Sequence, residues 1–159
     1  MPLSENSEAM NNQLKNISRL YLDTNIFIYF LEGHRELGET VSRVFELCEE
    51  YGIAVFTSEI TITECLMGPH KNKNAELIEK YEAFFHSAAG TIGILPTDSS
   101  ILWETPHIAA KYRLKLVDSI HVATAVASGC DCFLTNDKGI GPFDTSMKAL
   151  YLSDLIPKV

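Results

Sequence analysis

From Arg19 onward the chain alternates short apolar runs with longer amphipathic ones. Arg19 to Asp23 is a brief apolar run with an aromatic residue, ending in turn-type residues, and it predicts a buried strand. A helix through Asn25 to Glu32 follows, closed by Gly33. Arg35 to Tyr51 places Leu37, Val41, Val44, Phe45, Leu47 and Cys48 on a broad helical stripe that Gly52 stops. Ala54 to Thr57 reads as a second strand, and Ser58 to Met67 as a helix capped by Ser58 and ended by Gly68-Pro69. Asn74 to Ser87 is a further helix, with Leu77, Ile78, Tyr81, Phe84 and Phe85 at core spacing. Thr91 to Leu95 is a third strand, stopped by Pro96. Ser99 to Tyr112 is helical, with Pro106 kinking it or dividing it in two. Val117 to Ser128 is apolar enough to be a buried helix, Cys132 to Thr135 is a fourth strand, and Ala149 to Leu152 is a short last one. Met1 to Ser18 is polar and without sustained period, which predicts a tail with at most one loose turn and a domain spanning residues 19–159.

Strands separated by helices predict an α/β domain with a mostly parallel sheet of four or five strands. Ligands of such sheets bind beyond the carboxyl ends of the strands, so the residues just after each strand carry the candidate chemistry. A length of 159 residues fits one domain, and 46% apolar against 21% charged residues is ordinary globular usage. Uncharged stretches such as Ser119 to Cys130 fall short of the ~20 residues a membrane span needs. The N-terminus lacks the basic flank and apolar centre of a signal peptide. Cys48, Cys65, Cys130 and Cys132 lie mostly in apolar runs and form no C-x-x-C pair, which suits reduced thiols. The expectation is a soluble cytoplasmic protein. Its formal charge of −8 argues against a generic basic-patch nucleic-acid binder. It leaves room for an enzyme whose acids hold metal, because a bound divalent cation reverses the local field.

Four acids follow strands or open helices. Asp23 ends the first strand, Glu64 lies in the helix after the second, Asp118 begins the most apolar helix, and Asp137 follows the fourth strand. Each has a plain structural reading: Asp23 and Asp118 as helix caps, Glu64 as a solvated charge, Asp137 as a turn residue. Together they would share one crevice. Carboxylates ~4 Å apart repel by about 4 kcal/mol per pair at an effective dielectric of 20, so clustering them needs a cation to justify it. Oxygen-only ligands favour Mg²⁺ or Mn²⁺.

Leu22-Asp23-Thr24-Asn25, Thr63-Glu64-Cys65-Leu66, Asp118-Ser119-Ile120-His121-Val122-Ala123-Thr124-Ala125 and Leu134-Thr135-Asn136-Asp137 resemble the successive motifs of PIN-domain ribonucleases. Order, spacing and α/β pattern match over Arg19 to about Leu152, and the Asp-x-x-His-x-Ala-Thr-Ala run is the most specific piece. The likeness is to compact single-domain members such as the VapC-type toxins of toxin–antitoxin pairs. It implies a three-layer α/β/α sandwich and a metal-dependent endoribonuclease acting on single-stranded or structured RNA. Asp23, Glu64, Asp118 and Asp137 would be its catalytic acids and hold Mg²⁺ or Mn²⁺, with a metal-activated water attacking phosphorus. It also implies a small antitoxin over the acidic mouth, and a homodimer is expected. The apolar stripes of Leu37 to Cys48 and Asn74 to Ser87 are candidate partner surfaces.

Around the acids, Thr24 and Thr135 read as positioning residues for water or phosphate and Asn25 as a brace for the first turn, with ordinary turn chemistry as the alternative. His121, three residues after Asp118, reads as a packed histidine behind the site rather than a ligand, since a hard oxygen site does not need imidazole. Lys71, Lys73, Lys111, Arg113, Lys115 and Lys138 are candidates for phosphate contacts, or simply a solvated face. Two other functions remain open on the sequence. A Mg²⁺-dependent phosphatase or phosphoryl-acceptor domain also places an Asp after its first strand, although no second aspartate stands two residues on from Asp23. A catalytically inert module of the same fold would keep the acids as caps.

Overall fold

The computed structural model describes residues 5–88 and 90–157. Five strands form one sheet: β1 (Arg19–Leu22), β2 (Ala54–Ser58), β3 (Ile92–Leu95), β4 (Cys132–Thr135) and β5 (Lys148–Tyr151). Their order is β3-β2-β1-β4-β5, and every neighbouring pair is parallel. The chain builds outward from β1 to β2 and β3, then returns to lay β4 on the other side of β1. That reversal puts the topological switch point between β1 and β4, where an open parallel sheet leaves a crevice beyond its strand ends.

Alternation along the central strands sorts the core into two halves. Leu20, Leu22, Cys132 and Leu134 face one side. There they pack with α1 (Glu5–Leu14), α2 (Thr24–Leu31), α3 (Arg35–Tyr51), α4 (Glu59–Lys71) and α5 (Ala75–Ala88). Tyr21 and Phe133 face the other, with rings stacked at 5.1 Å, against α6 (Ser99–Tyr112) and α7 (Leu116–Ala127). The result is the three-layer α/β/α sandwich that the alternating pattern and the family resemblance anticipated. A 3₁₀ turn at Leu152–Leu155 closes the chain over α3. Among the described residues no helix is long and apolar enough to cross a membrane.

Three local readings give way. The N-terminal segment holds a ten-residue helix rather than one loose turn. Met10 and Leu14, four positions apart on one face, are buried in the core, so two apolar side chains suffice to dock an otherwise polar helix. Gly68-Pro69 does not end α4, which runs on to Lys71. The carbonyls of Gly68, Pro69 and His70 accept from the backbone N–H groups of Asn72, Asn74 and Lys73, so the last turn closes despite the missing proline donor. Pro106 lies inside one helix. Buried Ile101 and Ile108 anchor α6 on both sides of it. Gly52 does stop α3, in the left-handed region at φ 67° that glycine adopts without a steric penalty.

Candidate active site

Asp23 follows β1 in extended backbone and caps α2, its Oδ1 accepting from the Thr24 N–H at 2.8 Å. Its Oδ2 accepts from the Thr135 hydroxyl at 2.7 Å and the Asn25 amide at 3.2 Å, and its own N–H donates to the Leu134 carbonyl. The cap reading of Asp23 therefore holds. Only 5% exposed, this carboxylate is fixed by groups from both strands that flank the switch point. Asn25 braces the arrangement by donating to Thr135 at 3.2 Å and accepting from the Asn136 N–H at 3.1 Å. Thr135 Oγ1 also accepts from the N–H of Asp137 at 3.0 Å. Asp137 is exposed, and its Oδ1 accepts from the Gly139 N–H in a tight turn.

Asp118 sits in the first turn of α7 behind Lys115, which is the N-cap residue, so the expected cap role does not apply to it. It is half-buried. Burial, reinforced by the charges of Asp23, Asp137 and Glu64 and only partly opposed by His121, pushes its pKa above the ordinary aspartate value. Asp23, Asp137 and Glu64 are thus near enough to Asp118 to act on its charge. Glu64 behaves oppositely. Half-burial alone would raise its pKa, but hydrogen bonds from His121 and Thr24 and the attraction of the imidazole outweigh it, and the carboxyl lies below its ordinary value.

His121 is fully buried directly behind the acids, 2.6 Å from Glu64 Oε1 and 3.7 Å from Asp23 Oδ1 through Nε2. The Thr24 hydroxyl donates to the same Glu64 oxygen at 2.6 Å. Nδ1 lies 2.6 Å from the Tyr21 hydroxyl. The motifs did not single out Tyr21. Its signal was its position in a buried strand, since a tyrosine there needs a partner for its hydroxyl.

The basic residues gather less well. Lys138 pairs with Asp154 at 3.0 Å and Lys111 with Asp144 at 2.9 Å, both at the surface. Arg113 caps the C-terminus of α6 in left-handed backbone, and Lys115 stands exposed three residues before Asp118. Lys71 is the last residue of α4, set back about 10 Å along the helix from Glu64, and Lys73 lies in the turn beyond it, so they are not brought to the cluster.

Among the described residues, no group of three or more His, Cys, Asp or Glu side chains stands in a geometry that could hold a metal ion. The donor set nonetheless suits a hard divalent cation. Asp118 has no hydrogen-bond donor among the described groups, and burial together with three neighbouring carboxylates raises its pKa. Mg²⁺ commonly takes one or two carboxylates and keeps waters that phosphate can displace, which an open site permits. Asp23, Asp118 and Asp137, with Glu64 behind them, would hold it.

Residues 20–144 match the family model described as PIN domain. No curated protein matches the sequence significantly. Solved structures do resemble it in fold. A chain of the VapBC2 complex from Rickettsia felis, bound to a DNA fragment of its promoter, superposes with a TM-score of 0.65 at 18% identity, covering 84% of this chain and 98% of that one. A chain of a toxin–antitoxin complex from Klebsiella pneumoniae gives 0.61 at 22% identity, over 84% and 97%. DNA-bound VapBC from Salmonella typhimurium gives 0.63 at 18%, over 85% and 98%.

Proposed function

The chain belongs to the PIN-domain family, and from that premise we propose that it is a divalent-metal-dependent endoribonuclease, the toxin of a cytoplasmic toxin–antitoxin pair. The observation that carries the reading is the placement of Asp23, Glu64, Asp118 and Asp137 around the β1/β4 switch point, where burial, with the charges of the other three adding to it, raises the pKa of Asp118. A cluster of this kind has no structural benefit of its own, because each carboxylate disfavours the next. Mg²⁺ or Mn²⁺, when bound, supplies the Lewis acid and neutralises the phosphate. This chain's own side chains do the positioning. Thr135 and Asn25 hold the Asp23 carboxylate in one orientation, and Thr24 holds Glu64. Asp118 brings a negative charge to the edge of the crevice. Lys115 and Arg113, exposed before α7, are the cations best placed to meet an RNA backbone, and Lys138 could join them by leaving Asp154.

Two surfaces support protein partners. An apolar groove of about 660 Å³ runs between α3 and α5, lined by Phe30, Phe45, Ile53 and Phe84 and rimmed by Glu46 and Glu49. It suits an antitoxin segment with apolar anchors and basic flanks. Leu102 and Trp103 on α6 and Met67 on α4 are exposed and apolar, and we assign them to a second copy of the chain.

The test is cleavage of single-stranded RNA by purified protein with Mg²⁺ or Mn²⁺. Activity should vanish in EDTA, return on adding metal, and be absent from an Asp118→Asn preparation made in parallel. Cleavage that survives chelation, or that persists in the variant, overturns the proposal. Hydrolysis of acetyl phosphate or simple phosphomonoesters in place of RNA would favour the phosphoryl-transfer alternative.

A further inference from the structure

Behind the acids a buried hydrogen-bonded chain runs from the sheet to Glu64, and it determines which atoms carry protons. A carboxylate only accepts, so the 2.6 Å contact to Glu64 Oε1 places a proton on His121 Nε2. The Tyr21 hydroxyl is 2.6 Å from Nδ1. A phenolic hydroxyl is an ordinary donor, and at this distance it can donate its proton to Nδ1. An Nδ1 that accepts from tyrosine leaves the imidazole with its one N–H aimed at Glu64. The tyrosine ring cannot drift, being fully buried and stacked on Phe133 at 5.1 Å.

Two donors then converge on a single oxygen. His121 Nε2–H and the Thr24 hydroxyl both reach Glu64 Oε1, each at 2.6 Å, and Oε2 receives no donor from the described residues. A long side chain on the second turn of a helix would otherwise sample several rotamers, and the two donors remove that freedom.

We propose that Tyr21 and His121 are positioning residues of the metal site. Tyr21 sets the tautomer of His121, and His121 fixes Glu64 by Oε1 so that Oε2 is the oxygen left for a cation or its water. The inference rests on the metal-dependent reading above and adds the residues that pre-organise one of its ligands. It separates this chain from a site in which Glu64 swings freely. It also gives the histidine of the Asp118 motif a job other than ligation or core filling.

The closing experiment has two arms on the full chain. Long-range ¹H–¹⁵N NMR of the metal-free protein should show His121 as the neutral Nε2–H tautomer, and Tyr21→Phe, which removes one hydroxyl from a packed ring, should erase that preference. Mn²⁺ titration followed by electron paramagnetic resonance should show affinity falling 10- to 100-fold in His121→Leu, the range for loss of an outer-shell partner. His121→Gln, which restores an N–H donor near the Nε2 position, should recover most of it. Tyr21→Phe should lose a smaller factor, and it serves as the second variant should His121→Leu fail to fold. An Nδ1–H tautomer in the native protein, or Mn²⁺ affinity unchanged in folded His121→Leu and Tyr21→Phe, overturns the inference while leaving the metal reading intact. Native protein that binds no Mn²⁺ overturns both.

Discussion

Replacing Thr135 with valine keeps the shape of a fully buried side chain and deletes one hydroxyl. That hydroxyl donates to Asp23 Oδ2 at 2.7 Å and accepts from the Asp137 N–H at 3.0 Å. Its loss leaves a buried carboxylate oxygen with only the 3.2 Å bond from Asn25. A hydrogen bond to a charged group contributes about 1.5–3 kcal/mol. The Asp137 amide lies in an exposed turn, where water can replace the lost acceptor, so it adds about 0.5 kcal/mol at most. The expected total is about 2–3 kcal/mol, a drop in Tm on the order of 5–10 °C for a chain of this size. Urea unfolding in EDTA, followed by circular dichroism, measures it without metal linkage. Thr145→Val is the control: the Thr145 hydroxyl accepts one backbone bond at an exposed position, and its removal should cost less than about 0.5 kcal/mol. Cleavage by Thr135→Val should fall about 10- to 100-fold, because Asp23 loses its orienting donor. Equal, small losses in the two variants would refute the claim that the hydroxyl anchors the Asp23 carboxylate.

Asp118→Asn should abolish cleavage yet stabilise the metal-free fold. The folded-state pKa of Asp118 is raised, so its favourable contribution is complete below the unfolded-state value and is lost as pH rises through the folded-state value. Melts in EDTA should therefore show the variant pulling ahead of the native protein as pH rises past that range, and parallel curves would contradict the shift. The single tryptophan, Trp103, is 81% exposed, so its emission should move to shorter wavelength with concentration as a second copy covers it. A concentration-independent spectrum together with monomeric light scattering would remove the dimer. All four cysteines are buried and free, and burial pushes Cys48 and Cys130 up to about 11 and Cys132 to about 12. A thiol reagent at about pH 8 should label none of them before unfolding and all of them in urea; a fast native thiol would show that the cysteine environment is wrong.

The sheet was legible because its strands are buried on both faces and therefore read as uninterrupted apolar runs. Cys132 to Thr135, every residue buried, is the clearest case. Ser58 identified its helix start by chemistry alone, and its hydroxyl does accept from the Ile60 N–H. What failed was local punctuation. Gly68-Pro69 reads as a stop and Pro106 as a kink or a break, but both helices run on because neighbouring bonds and buried isoleucines offset one missing donor each. The docking of α1 was invisible because two buried residues among polar ones give almost no periodic signal. At the site, the acids and threonines could be named from their place after strands. The link from Tyr21 to His121 spans 100 positions and only the fold could supply it.

Asp23 and Thr135, bonded to each other, are 112 positions apart in the chain. The first of the acids is thus made early and its anchoring partner late, with β4 following seven helices and three strands among the described residues. During synthesis a growing chain that has not yet released Asp137 carries Asp23 and Glu64 with no second wall to the crevice. A ribosome-stalled or truncated chain ending before β4 should therefore lack Mn²⁺ affinity, which the same titration can read. On the ribonuclease reading proposed above, the protein stays harmless to the message that encodes it until translation is nearly complete, a delay that follows from strand order alone.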